Sequence, residues 1–93
     1  MAITAYDISD TAWTAISSPG QSGTFWIKNR PAQGRVVIFH SDSGTGSIDI
    51  ENGYYVPNTK DHMVALVADN PEDIFYARCS DPDDIAKVIA DMF

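Results

Sequence analysis

Cysteine is almost absent from this chain, and Cys79 is its single example. One thiol cannot form an internal disulfide or a zinc site built from several thiolates. Because Cys79 ends an apolar segment, we interpret it as a small buried hydrophobic residue. No segment approaches the roughly 18 apolar residues of a membrane span, and residues 1–7 lack the basic and apolar pattern of a secretory signal. We expect synthesis in the cytoplasm and no membrane partner.

Basic residues are also scarce. The chain has 6 Lys and Arg against 13 Asp and Glu, for a net charge of -7, which argues against a nucleic acid as the main partner. The charge is uneven, because residues 1–40 hold two acids and three bases whereas residues 41–93 hold eleven acids and three bases. We interpret this as a solvated acidic surface; the alternative is that the basic segment from Lys28 to Arg35 meets an acidic neighbour.

The apolar content is sufficient for one core. The 93 residues are 44% hydrophobic and include four Phe, four Tyr and two Trp. A chain of this length forms one domain and buries only about two-thirds of the surface that its unfolded form exposes. We therefore predict a single domain over residues 1–93, of modest intrinsic stability, in which residues 1–10 form an extended arm or an edge strand.

Short segments rich in β-branched and aromatic residues recur along the chain, separated by Gly, Pro, Asn and Ser. The predicted strands before residue 60 lie at 12–16, 24–27, 35–40, 47–51 and 54–56. Asn52-Gly53 between the last two is the strongest signal for a type I′ hairpin turn. This spacing predicts an all-β fold, a β-sandwich or jelly-roll-like domain.

Two further apolar runs, 63–68 and 74–79, are joined by the turn cluster 69–73. Their length, their β-branched and aromatic content and the Asn70-Pro71 between them favour strands over helices. We predict that they form a hairpin.

The C-terminal segment fits two structures. As a helix it would be capped by Asp81, with Pro82 in the first turn and an apolar face of Ile85, Val88, Ile89 and Met92. As a strand it would place Ala86, Val88, Ala90 and Met92 on one face and pair with 74–79. We predict the strand; the alternative is an α+β fold with a helix at 83–93.

One motif suggests an enzyme. Asp42-Ser43-Gly44-Thr45 is similar to the Asp-Ser/Thr-Gly signature of dimeric aspartic proteases, in which two carboxylates share a proton. The preceding His40 and Ser41 stand where that family has apolar residues, so we treat the protease as a minor alternative and predict no catalytic residues.

Conventional metal ligands are few and scattered. His40, His62 and Cys79 lie at unrelated positions, and the acidic turns do not follow the spacing of a calcium loop. These turns contain Asp69, Glu72 and Asp73 in one case and Asp81, Asp83 and Asp84 in the other. We predict no metal and no cofactor.

The aromatic residues allow two interpretations. We expect Trp13 and Trp26, on predicted neighbouring strands, to stack in the core. The alternative is an exposed aromatic patch of Trp26, Tyr54 and Tyr55 that binds a glycan or a receptor.

Four segments carry a family resemblance. They are Trp13-Thr14-Ala15-Ile16, Gly20-Gln21-Ser22-Gly23-Thr24, Val37-Ile38-Phe39-His40-Ser41 and Asp73-Ile74-Phe75-Tyr76-Ala77-Arg78. In this order they resemble small β-rich virion proteins of tailed bacteriophages.

The resemblance implies a β-sandwich that works by shape, either as a head decoration (cement) protein, often trimeric, or as a tail or fibre component. It implies a location on the virion and contacts with the major capsid protein or another virion protein. The residues that we expect at such contacts are Lys28, Arg30, Arg35, Trp26, Tyr54 and Tyr55.

Overall fold

The computed structural model describes residues 2–41, 53–57 and 63–93, and these ranges contain eight strands and no helix. The strands are β1 Ala2–Ser9, β2 Thr14–Ala15, β3 Gly23–Asn29, β4 Val36–Ser41, β5 Tyr54–Tyr55, β6 Met63–Leu66, β7 Ile74–Cys79 and β8 Ile85–Met92. The predicted all-β class is confirmed. The predicted strand 47–51, Asn52 of the predicted turn and the motif at 42–45 lie outside the described residues.

The strands form two antiparallel sheets that make a β-sandwich. Sheet A has the order β1-β8-β3-β6, and sheet B has the order β2-β7-β4-β5. Residues 2–9 are thus an edge strand rather than a free arm, since β1 pairs with β8 along its whole length.

The core lies between the two sheets and follows from the period-two pattern of the strands. In β8, Ala86, Val88, Ala90 and Met92 are buried, as the strand interpretation predicted. In β7 the buried residues are Phe75, Ala77 and Cys79. Phe25, Val36 and Val56 add side chains with no solvent exposure. Burial of each large apolar side chain contributes about 1.5–3 kcal/mol before the entropy of ordering is subtracted.

The C-terminal segment is a strand, but the predicted pairing is wrong. β8 pairs with β1 and β3 in sheet A, not with β7. The physical reason lies in the turn between β7 and β8, where Asp83 adopts a φ of 64°. The buried Asp84 carboxylate accepts hydrogen bonds from the backbone of Gln33 and Gly34. These contacts direct the chain from β7 in sheet B to β8 in sheet A.

The predicted hairpin of residues 63–79 is also wrong. β6 lies at an edge of sheet A beside β3, whereas β7 lies inside sheet B between β2 and β4. The connecting turn is held by the buried Asp73 carboxylate, which accepts N–H bonds from Asp69 and Asn70. A backbone bond from Gly20 N–H to the Asp73 carbonyl ties the turn to the segment after β2. The turn therefore connects a strand of sheet A to a strand of sheet B instead of connecting two neighbouring strands of one sheet.

Candidate interaction surface

The outer face of sheet A carries a continuous row of apolar side chains, which we call the apolar row. The strand register places Ala5 opposite Ile89, Ile89 opposite Trp26, and Trp26 opposite Met63. Residues opposite one another in an antiparallel sheet share a face, and the flanking residues Val88 and Ala90 point into the core. The apolar row thus crosses all four strands on the side away from the core.

The exposure of these residues shows that the apolar row is open at its two ends and partly covered at its centre. Met63 is 57% exposed, Ala5 is exposed, and Trp26 and Ile89 are half-buried. Ile3, in the adjacent row, is 64% exposed. On the other side lies a polar row, in which Lys87 Nζ is 3.6 Å from Asp7 Oδ1 across the strands. An apolar centre with a polar border is typical of a protein interface.

The edge strand β1 adjoins the apolar row. Within the described parts of the chain β1 pairs only with β8, so no described strand adjoins its other side. Of its eight residues only Asp7 is charged, and none is proline. Edges that avoid pairing usually carry several charges, proline or a bulge, so β1 is suited to contact with another chain.

The basic segment begins on β3, two residues after Trp26. Lys28, Arg30 and Arg35 are all exposed. Lys28 falls at the register shift between Ile27 and Asn29, in the pairing of β3 with β8. Arg35 and Tyr55 line one side of a polar hollow whose other members include Ser80 and Asp81. The basic segment therefore extends from β3, beside the apolar row, to the residue before β4 of sheet B.

The three predicted aromatic contact residues do not form one patch. Trp26 lies on the outer face of sheet A, whereas Tyr54 and Tyr55 form β5 at the edge of sheet B. Tyr54 lines a mostly apolar cleft with Val64 and Phe75, between the edges of the two sheets.

The predicted stack of Trp13 on Trp26 is wrong, because Trp26 lies on the outer face of sheet A whereas Trp13 lies beside β2 of sheet B. Trp13 instead packs against Phe39, with ring centroids 6.1 Å apart. The Arg78 guanidinium carbon lies 6.0 Å from the Trp13 ring centroid, and Arg78 Nε donates a 2.8 Å hydrogen bond to the Asp10 carbonyl. Trp13 and Arg78 thus hold the start of β2 on sheet B.

A group of metal-ligating side chains was missed by the sequence interpretation. His40, Asp69 and Asp73 each offer one ligand atom, and these atoms lie within 4.8 Å of one another. His40 Nδ1 is 3.4 Å from Asp73 Oδ2. The sequence pattern grouped Asp69 with Asp73 but left His40 apart, because only the fold brings β4 beside the turn before β7. His62 lies outside the described residues.

Cys79 is the buried hydrophobic residue that the sequence predicted. Burial raises the pKa of its thiol to about 11, with smaller contributions from the negative charges of Asp84 and Asp10. Its Sγ lies 3.6 Å from the carbonyl oxygen of Ile8, to which the thiol donates. A protonated, enclosed thiol is a poor nucleophile and a poor metal ligand, so Cys79 belongs to the core.

No described segment forms a helix long and apolar enough to cross a bilayer. Comparison with protein-family models, with curated proteins and with solved structures found no match to this chain. Functional inference therefore depends on the surfaces described above.

Proposed function

We propose that this protein is a non-enzymatic structural protein of a phage virion, which decorates or stabilises the capsid through protein–protein contacts. The observation that carries the contact role is the apolar row of Ala5, Ile89, Trp26 and Met63 on the outer face of sheet A. The virion setting comes from the sequence resemblance.

The shape of this surface favours a protein partner. Four neighbouring strands span roughly 14 Å at the usual strand spacing, and the apolar row runs across that whole width. A broad sheet face offers contact area but little enclosure, whereas sites for small molecules are concave. The partner that fits is a surface with an apolar centre, such as a capsid subunit or a second copy of this chain.

Self-association is supported by β1. Its outer edge, beside which no described strand lies, continues the apolar row to the margin of sheet A, so two copies could meet along both. Because each copy carries a net charge of -7, apolar contact and backbone hydrogen bonds must outweigh electrostatic repulsion between copies. The resemblance favours a trimer. A small domain of modest stability gains from such assembly, because binding to the folded state raises its free energy of unfolding.

A matched pair of substitutions tests this proposal. Ala5→Lys adds a charge in the apolar row, and Ala12→Lys adds the same charge at an exposed position between β1 and β2. Light scattering gives the oligomeric state, and binding is measured on capsids that lack the protein. We expect Ala5→Lys to weaken assembly or capsid binding about tenfold or more, which is the effect of roughly 1.4 kcal/mol. Ala12→Lys should behave as the wild type.

Thermal denaturation monitored by circular dichroism serves as the folding control for both variants. A wild-type protein that is a stable monomer and does not bind the capsids would overturn the proposal. Equal effects of the two substitutions would show that the apolar row is not the contact surface.

A second candidate is a glycan- or receptor-binding module. The specific observation is that Tyr54 is 53% exposed and Tyr55 38% exposed on neighbouring positions of β5, and aromatic faces stack on sugars. Tyr54→Ala and Tyr55→Ala should then abolish signal on a glycan array while leaving folding intact. Trp26→Ala, on the other sheet, is the internal comparison, and an array without any wild-type signal counts against this candidate.

A further inference from the structure

We infer that His40, Asp69 and Asp73 form a binding site for a divalent transition metal ion of the zinc type. The three residues are the His40 cluster. This inference does not depend on the apolar row or on the proposed virion role.

The fold assembles the His40 cluster from two places in the chain. His40 is near the end of β4 and stands opposite Phe75 of β7 in the register of sheet B. Asp73 directly precedes β7, and Asp69 begins the turn that leads to it. Pairing of β4 with β7 therefore brings the imidazole onto the turn that holds both carboxylates.

The distances suit a metal better than a hydrogen bond. His40 Nδ1 and Asp73 Oδ2 are 3.4 Å apart, which is longer than the usual 2.7–3.2 Å of an N–H···O bond. Two ligand atoms of a tetrahedral zinc ion, with bonds of about 2.0–2.1 Å, lie about 3.4 Å apart. The ligand atoms of all three residues fall within 4.8 Å, so small side-chain rotations would bring the Asp69 oxygen to the same separation.

The charges also favour a cation. Two carboxylates lie close together, and one of them, Asp73, is only 3% exposed. Among the described residues neither carboxylate forms an ion pair with lysine or arginine, and His40 is the partner of Asp73. Neighbouring carboxylates repel one another and bind protons or cations to offset that repulsion. A dication would compensate both charges.

Two of the ligands are held in place without the metal. Asp73 Oδ2 accepts N–H bonds of 3.2 Å from Asp69 and 3.1 Å from Asn70. Each carboxylate oxygen has about two lone-pair sites, so these two bonds occupy Oδ2, and a metal ion would replace one of them or bind Oδ1. The His40 ring lies beside Phe75 and Phe39, with centroids 5.5 Å and 6.3 Å away. Ordered ligands lose less entropy when they bind a metal.

The donor set selects the class of metal. One imidazole nitrogen with two carboxylate oxygens suits zinc and its neighbours, whereas calcium and magnesium prefer sites made only of oxygen. His40 and Asp69 are exposed, so an ion can enter from solvent, and water would supply the fourth ligand.

The test is titration of the full-length protein with Zn²⁺ by isothermal calorimetry at pH 7.5, together with thermal denaturation. We expect one Zn²⁺ per chain. A tenfold excess of free Zn²⁺ over Kd should raise Tm by about 5 °C or more, because the ion binds the folded state. His40→Gln and Asp69→Asn should each weaken binding about tenfold or more, in line with the loss of one of three ligands. Asp73→Asn is avoided, because this buried side chain also holds the turn.

A matched control makes the result specific. Glu72→Gln removes one negative charge from the same turn but no ligand of the His40 cluster. This variant should bind Zn²⁺ as the wild type does. Co²⁺, used as a spectroscopic probe, should give the visible absorption of a nitrogen- and oxygen-ligated ion, and this absorption should be lost in His40→Gln.

Three outcomes would overturn the inference. The first is no saturable Zn²⁺ binding at concentrations up to about 1 mM, the weak end of specific affinity. The second is a loss of Zn²⁺ affinity in Glu72→Gln equal to the loss in the ligand variants. The third is tighter binding of Ca²⁺ than of Zn²⁺, since the imidazole would then contribute nothing.

Discussion

The Asp84 carboxylate accepts a 2.7 Å hydrogen bond from the backbone N–H of Gly34, although the two residues are fifty positions apart. The same carboxylate accepts from the N–H of Gln33, and the Asp84 side chain is buried. One acidic side chain thus fixes the connection between β3 and β4 to the start of β8.

Removing this carboxylate should destabilise the fold. In Asp84→Ala the two backbone donors lose a charged acceptor, and a hydrogen bond to a charged group contributes about 1.5–3 kcal/mol. Asp84→Asn keeps one oxygen as an acceptor, so its free energy of unfolding should fall by less. Urea denaturation measures the free energy of unfolding of both. Asp83→Asn is the control, because Asn tolerates the φ of 64° that Asp83 adopts; an equal loss there would show that the hydrogen bonds to Asp84 are not the cause.

A side chain at Gly23 should not fit between the strands. Gly23 lies opposite Met92 of β8 and Leu66 of β6, and a Cβ there would overlap the Asp91 carbonyl oxygen and approach Met92 Cα to 2.8 Å. Because both contacts are backbone, Gly23→Ala should lower the free energy of unfolding by about 1–3 kcal/mol. Thr24→Ala, on the outer face of the same strand, should cost less than about 1 kcal/mol. Thermal melts of the two variants compare these costs, and equal melting temperatures would contradict the steric argument.

The Cys79 thiol should make stability depend on pH in the alkaline range. Its pKa rises from 9.0 to about 11 in the folded protein, first because of burial and then because of the charges of Asp84 and Asp10. Below pH 9 the thiol is protonated in both states. Between pH 9 and about 11 only the unfolded chain releases this proton, so the free energy of unfolding falls as pH rises.

Comparison with Cys79→Ala isolates this contribution. The difference in free energy of unfolding between wild type and variant should be constant below pH 9 and should shrink between pH 9 and 11. Folded wild-type protein should also react slowly with thiol reagents at neutral pH and rapidly after denaturation. A difference that stays constant up to pH 11 would show that the thiol does not titrate as described.

Salt distinguishes the two candidate contact surfaces. If copies assemble through the apolar row, higher salt screens the repulsion between chains of net charge -7, and sedimentation should show equal or stronger self-association. If instead Lys28 and Arg35 contact an acidic neighbour, the same increase in salt should weaken that association. A rise from about 0.1 M to 1 M NaCl shortens the screening length from about 10 Å to 3 Å. Met63→Lys should weaken assembly at both salt concentrations, and Arg35→Gln should change it less than about twofold.

Much of the local structure could be predicted from the chain alone. The all-β class, the strand 74–79 and the inward face of 85–92 follow from period-two alternation and from turn residues, because each reports the environment of a single strand. The burial of Cys79 follows in the same way. These are properties of neighbouring residues, and short-range sterics with hydrophobic burial determine them.

The partners of each strand were decided by the tertiary structure. Whether 63–68 pairs with 74–79, or 74–79 with 85–92, depends on turns whose direction is set by the carboxylates of Asp73 and Asp84. Both carboxylates are buried, and that of Asp84 bonds to residues far away in the chain. An acidic turn exposed to solvent has the same local sequence pattern as an acidic turn whose carboxylate is buried against backbone amides. The sequence therefore predicted hairpins at the two turns where the chain changes sheets.

Both candidate sites, the apolar row and the His40 cluster, depend on which strands pair with one another. Trp26 is a contact residue predicted from the sequence, and only the register of sheet A places it in line with Ala5, Ile89 and Met63. His40 and Asp73 are unrelated in the sequence pattern, and the pairing of β4 with β7 brings their side chains to 3.4 Å. Residue type determined what each side chain can bind, whereas strand order determined which side chains act together, because cross-strand neighbours are distant in sequence and adjacent only after the sheets form.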